Sequence, residues 1–136
     1  WTSRTSGTSN HLWEITNANN TFVVVGQSGT ILTSSDGTIW TSRTSGTSNS
    51  LYGITYGNNT FVAVGYSGTI LTSSDGTSWA SRTSGISKIL RGITNGNSTL
   101  VAVGESGTIL TSSDGTSWTS RTSGTSNTFL GVTYSK

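Results

Sequence analysis

Four tryptophans recur at a fixed interval: Trp1, Trp40, Trp79 and Trp118 stand 39 residues apart. The segments between them are close copies. One reads WTSRTSGTSNSLYGITYGNNTFVAVGYSGTILTSSDGTS from Trp40, and the next reads WASRTSGISKILRGITNGNSTLVAVGESGTILTSSDGTS from Trp79. A period near 40 residues means a tandem array, in which no single unit can bury its apolar face alone. The repeat therefore constrains the fold far more tightly than the chemistry.

Each unit divides into four short β-prone runs. In the second copy these are Leu51–Tyr56, Thr60–Gly65, Thr69–Ser73 and Trp79–Ser84. Gly57-Asn58-Asn59, Ser67-Gly68 and Asp75-Gly76 punctuate them, and Asp-Gly is a strong hairpin signal because Gly accepts positive φ. Four strands in about 40 residues is the arithmetic of a propeller blade. The second run is apolar on both faces, with Phe61 and Ala63 on one and Val62 and Val64 on the other, as a strand between stacked blades requires. The fourth run alternates, with Trp79, Ser81 and Thr83 opposite Arg82, which marks a half-exposed outer strand. No segment has helical periodicity. A β-solenoid is the fold alternative, disfavoured by the hairpin signals.

Only 9% of residues are charged, and Ser, Thr, Gly and Asn dominate, a composition that by itself suggests disorder. The recurring FVAVG and TIL blocks argue against it. There is no Cys, and the net charge of +2 comes from unclustered basic residues, so nucleic acid is not an expected partner. No apolar run reaches membrane-spanning length, and membrane insertion is not expected. The Ser/Thr/Asn-rich composition points to an extracellular or cell-surface location. A start at Trp rather than Met suggests a processed product or a fragment.

The run Ser74-Asp75-Gly76-Thr77-Ser78-Trp79, with its copies ending at Trp40 and Trp118, resembles an Asp-box (BNR-type) turn. The preceding VAVGxSGTILTSSDG resembles the repeat of β-propellers of the Ycf48 and Hcf136 photosystem II assembly-factor type. The resemblance covers nearly the whole chain. It implies an all-β array of four-stranded blades. It also implies that Asp36, Asp75 and Asp114 tie their hairpins through backbone hydrogen bonds, beside Gly37, Gly76 and Gly115, while Trp40, Trp79 and Trp118 anchor them in the blade.

Three periods take 117 residues (3 × 39) of 136, so the array does not close evenly. The phasing predicts one domain with blades over about 12–45, 51–84 and 90–123. An outer strand over 1–6 precedes them and a lone inner strand over 129–135 follows. That is about 3.5 repeats and fourteen strands. Unpaired strand edges are templates for association. The expectation is a non-enzymatic structural protein whose partner is itself, joined by β-strand complementation into a ring or filament. Trp1, Thr2 and Arg4 at one end and Phe129, Leu130, Val132 and Tyr134 at the other are the assembly residues.

The positions that change between copies define a second reading, a carbohydrate-binding, lectin-like propeller module. Trp13, Tyr52, Tyr56, Tyr66 and Arg91 are its candidate ligand surface, since aromatic rings beside polar groups can stack on sugars. An engineered or excised propeller fragment is a third reading. Arg4, Arg43, Arg82 and Arg121 recur once per unit, and the plain expectation is that each pairs with a turn carboxylate or covers a Trp. Asn19, Asn58 and Asn97 begin Asn-x-Ser/Thr sequons at equivalent positions, which also suit hairpin turns. His11 is the single histidine, with Glu14 nearby but no third group to orient the pair. No catalytic, cofactor or metal-binding set is expected.

Overall fold

Turn chemistry sets the strand order. Asn19 and Asn20 both take positive φ (50° and 57°), as a two-residue type I′ hairpin requires. They join β1 (Leu12–Ala18) to β2 (Thr21–Gly26). A single 3₁₀ turn at Gln27–Gly29 leads into β3 (Ile31–Ser34), and the Asp36-Gly37 turn leads into β4 (Thr41–Arg43). The same turns recur one period on. They build β5 (Leu51–Gly57), β6 (Thr60–Gly65), β7 (Ile70–Ser73) and β8 (Ala80–Arg82), then β9 (Leu90–Gly96), β10 (Thr99–Gly104), β11 (Ile109–Ser112) and β12 (Thr119–Arg121). The computed structural model describes residues 1–136. Its strands form three four-stranded antiparallel meanders, β1 to β4, β5 to β8 and β9 to β12.

The core lies between these blades. Val23, Val25 and Ile31 of the first blade pack against Leu51, Ile54, Phe61, Ala63 and Leu71 of the second. Val62, Val64 and Ile70 leave the other side of the second blade and meet Leu90, Ile93, Leu100, Ala102 and Leu110 of the third. Strand β6 is thus buried on both faces, as its unbroken apolar run requires. Burying a Phe61 side chain completely contributes about 1.5–3 kcal/mol.

Each inner strand carries one bulge. Leu12 pairs with Gly26 and Glu14 with Val25, so Trp13 is the extra residue. Tyr52 and Arg91 take the same place in β5 and β9. Beyond the bulge the inner strands come close together, and a Cβ placed on Gly53 would lie 3.3 Å from the Cα of Gly92.

The two ends differ from the expectation drawn from the repeat. Neither residues 1–6 nor residues 129–135 form a strand, so there are twelve strands rather than fourteen. The reason is pairing. An outer strand needs a third strand beside it, an inner strand needs a second one, and neither neighbour exists here. Trp1, Thr2 and Arg4 are exposed. The outer runs are also shorter than predicted: in the second blade the strand begins at Ala80, after Trp79.

Candidate functional site

The Asp-Gly turns are built from side-chain to backbone bonds. Asp75 Oδ1 accepts from the N–H groups of Thr77 (2.7 Å) and Ser78 (3.0 Å) and from the Ser73 hydroxyl (3.0 Å). Gly76, with φ of 77°, donates its N–H to Ser73 Oγ at 2.8 Å. Asp36 and Asp114 repeat the pattern. The donated N–H groups, those of Thr38, Ser78 and Ser117 foremost, hold all three carboxyls below the usual carboxylate range. Trp79 and Trp118 donate through Nε1 to the carbonyls of Gly76 (3.0 Å) and Gly115 (2.9 Å). Trp40 makes no such bond. The difference follows from packing: Gly76 rests on Val23 and Thr21 of the preceding blade, whereas Gly37 has nothing against it.

The recurring arginines do not reach these carboxylates. Arg43, Arg82 and Arg121 donate through Nε to Thr33 (2.8 Å), Thr72 (2.8 Å) and Thr111 (2.9 Å) on the adjacent strand. The single ion pair is Arg91–Glu105 at 3.1 Å.

The five candidate ligand residues separate into distinct places. Because Trp13, Tyr52 and Arg91 are all bulge residues, they form one row across the three blades. Trp13 and Tyr52 stand 4.7 Å apart between ring centroids, and the Arg91 guanidinium lies over Tyr52 at 5.0 Å. His11 stacks beyond Trp13 at 6.3 Å. Tyr52 lies in the middle blade, and both Trp13 and Arg91 pack on its ring. Tyr56 is absent from this row. It packs on Phe61 in the first core at 4.8 Å, and its hydroxyl accepts from Asn19 at 3.0 Å. Tyr66 is an exposed residue of the second 3₁₀ turn.

Two of the three sequon asparagines, Asn19 and Asn58, act between blades. Asn58 Nδ2 donates to the carbonyls of Ser98 (3.0 Å) and Ser113 (2.9 Å) in the third blade. Sequence reasoning placed these residues in turns but missed the interblade bonds, which have no signal within one repeat.

At one end of the stack an apolar face lies open. Leu12, Ile15 and Phe22 stand one period before Leu51, Ile54 and Phe61. Leu51 and Ile54 are 0% and 5% exposed, whereas Leu12 and Ile15 are 39% and 53% exposed. Leu12, Trp13, Glu14, Ile15 and Val24 line a groove there. Partial burial raises the Glu14 carboxyl above its usual value. At the other end Phe129 and Val132 are half-buried, and Leu130 and Tyr134 are exposed.

No protein family and no curated protein matches this chain. A solved structure described as YCF48 bound to D1 peptide superposes with a TM-score of 0.70 over 83% of the chain, at 21% identity. The fold is that of a β-propeller. Three complete blades are present, and the chain covers 40% of that propeller's length. At this identity the likeness carries the architecture alone.

Proposed function

We propose that this chain is a non-enzymatic structural repeat unit that associates with copies of itself through its blade faces and end segments. The observation that carries the reading is the open face of the first blade. Leu12, Ile15 and Phe22 are the one-period equivalents of Leu51, Ile54 and Phe61, which the first blade itself buries within the chain; Leu12 and Ile15 are exposed and Phe22 is half-buried, while Val24 and Leu32 on the same blade are already buried. A surface that is core in one repeat and open in another suits a partner shaped like the blade that covers it there. The bonds at Asp36, Asp75 and Asp114 support the Asp-box reading of the turns, with a structural role. An extracellular or cell-surface scaffold is the setting the composition suits. β-Strand complementation by residues 1–6 and 129–135, into a ring or filament, is one form the joint can take.

Light scattering across a concentration series tests this. The expected result is a multimer that dissociates on dilution and is lost in Ile15→Asp. A monomer at every concentration would overturn the reading.

Glycan binding is the second reading, favoured by the exposed rings of Trp13 and Tyr66. With Trp13 and Arg91 packed on the Tyr52 ring, this reading has fewer free stacking platforms than the sequence suggested. Titration with sugars, and with peptides in view of the peptide-bound propeller, reads it through tryptophan fluorescence, with Trp13→Phe as the comparison that isolates the Trp13 signal. An unchanged spectrum at millimolar ligand would remove it.

A further inference from the structure

Residues 129–135 occupy a seat that belongs to a whole blade. Gly131 lies against Gly92, its Cα 3.0 Å from where a Cβ on Gly92 would stand. One period earlier Gly92 lies against Gly53 in the same way, at 3.3 Å. Tyr134 covers Gly96 as Asn95 covers Gly57. The C-terminal segment therefore sits where the inner strand of a next blade would sit, on the far side of the third blade. It is lightly held: its single backbone hydrogen bond runs from Phe129 N–H to the Gly104 carbonyl at 3.0 Å, and Leu130 is 77% exposed. The third blade also carries Val101, Val103 and Ile109, the equivalents of Val62, Val64 and Ile70, which form the interblade face of the second blade. Those three are fully buried in the second blade, whereas Val101 and Ile109 are only half-buried.

We infer that the third blade's far side is a docking surface for the first blade of a second copy, whose β1 takes the seat now held by residues 129–135. The inference rests on the self-association proposed above and assigns its joint to the blade faces, with residues 129–135 displaced rather than complementing a sheet. The occupant is argued from the chain's own two interblade cores. Each joins a Val/Val/Ile face to a Leu/Ile/Phe-or-Leu/Ala/Leu face. The Val101/Val103/Ile109 face, of which Val101 and Ile109 are half-open, and the first-blade face, open at Leu12 and Ile15 and half-open at Phe22, are the remaining two halves of that same contact. The joint is head-to-tail, and two copies closing on each other would give six blades, within the range of about four to eight that propellers use. A joint that kept residues 129–135 in place would share a blade of one inner and one outer strand, with no middle strands to fill it. Seated residues 129–135 therefore compete with the second copy, and the apparent Kd rises as the inverse of the fraction unseated.

The test uses the full chain. Phe129→Ser with Tyr134→Ser unseats the segment, and circular dichroism with tryptophan emission checks that the blades remain folded. Light scattering is expected to show dimerisation strengthened by about tenfold or more, the size of a segment seated about nine-tenths of the time. Weaker association would mean that the segment is part of the joint, and would overturn the inference while leaving self-association standing. A second experiment in unaltered ends reads direction. Ile15→Asp and Val101→Asp are each expected to be monomeric alone and to associate when mixed, because one intact joint remains. A mixture that stays monomeric, or a Val101→Asp chain that still self-associates, would exclude the head-to-tail joint. A wild-type chain that never associates, seated or unseated, would remove both proposals together.

Discussion

Asn58 reaches out of its own blade to the carbonyl of Ser113, which its Nδ2 meets at 2.9 Å. A second bond to the Ser98 carbonyl makes this one side chain a clasp between the second and third blades. Asn97, one period later, has no following blade to reach, and its side chain makes no hydrogen bond. Both residues sit at positive φ (52° and 49°), where Gly is tolerated. Asn58→Gly therefore removes the clasp without straining the turn. The expected cost is about 1 kcal/mol, since each net hydrogen bond contributes about 0.5–1.5 kcal/mol and these are exposed to water. Asn97→Gly is expected to change stability by less than about 0.5 kcal/mol. Thermal melts of the two variants compare them directly, and equal losses would deny the clasp.

Close approach of the inner strands gives the next expectation. A Cβ on Gly53 meets the Cα of Gly92 and Cγ2 of Val64, both at 3.3 Å. Backbone cannot swing aside as a side chain can. Gly53→Val is expected to cost about 1–3 kcal/mol by overpacking. Denaturant unfolding followed by tryptophan emission measures it, and a neutral result would mean that the blades separate freely.

Acid stability follows from the turn carboxylates. Asp36, Asp75 and Asp114 titrate below their ordinary value in the folded chain, chiefly because backbone N–H groups donate to them. The folded state binds fewer protons than the unfolded one. Their contribution is therefore complete above the unfolded value, near 3.8, and is lost as pH falls through the lower folded values. Glu14 has the opposite sign: burial raises it, so its cost appears as pH rises through and above 4.5. Melting temperature is expected to drop between pH 5 and pH 2. Replacing all three Asp by Asn should flatten that drop, while Glu14→Gln should raise the melting temperature at pH 7 and leave it unchanged at pH 3. An unaltered acid slope in the triple variant would locate the acid sensitivity elsewhere.

The blades and their turns were legible because a repeat displays its own periodicity. FVAVG shows two apolar faces within five residues, and Asn-Asn and Asp-Gly mark the places where φ turns positive. What one repeat cannot display is its neighbour. Trp40 and Trp79 stand in equivalent turns, yet only Trp79 donates to its turn glycine's carbonyl, because only Gly76 has a preceding blade to rest on. The end segments were misread as strands for the same reason: strand propensity at Phe129–Tyr134 is real, but a ladder needs a second strand. Simple alternation also hid the bulge row. The extra residue in each inner strand aligns Trp13, Tyr52 and Arg91 and leaves Tyr56 to the core.

Arg91 holds two partners whose forces differ in range, and salt can separate them. Its guanidinium lies over the Tyr52 ring at 5.0 Å and pairs with Glu105 at 3.1 Å. The ion pair is about one-third exposed on each side, so it contributes little, within about 0–1 kcal/mol, and is screened as the Debye length shrinks to about 3 Å at 1 M salt. The contact with Tyr52 is a packed one, worth about 0.5–1 kcal/mol at a partly exposed site, and has less charge to screen. Double-mutant cycles with Arg91→Met against Tyr52→Leu and against Glu105→Gln, in low salt and in 1 M NaCl, separate the two. The Glu105 coupling is expected to fall towards zero in high salt, while most of the Tyr52 coupling persists. If both vanish together, charge alone holds Arg91. If neither changes, the row is held by packing, and a ligand would have to displace Arg91 to reach the ring of Tyr52.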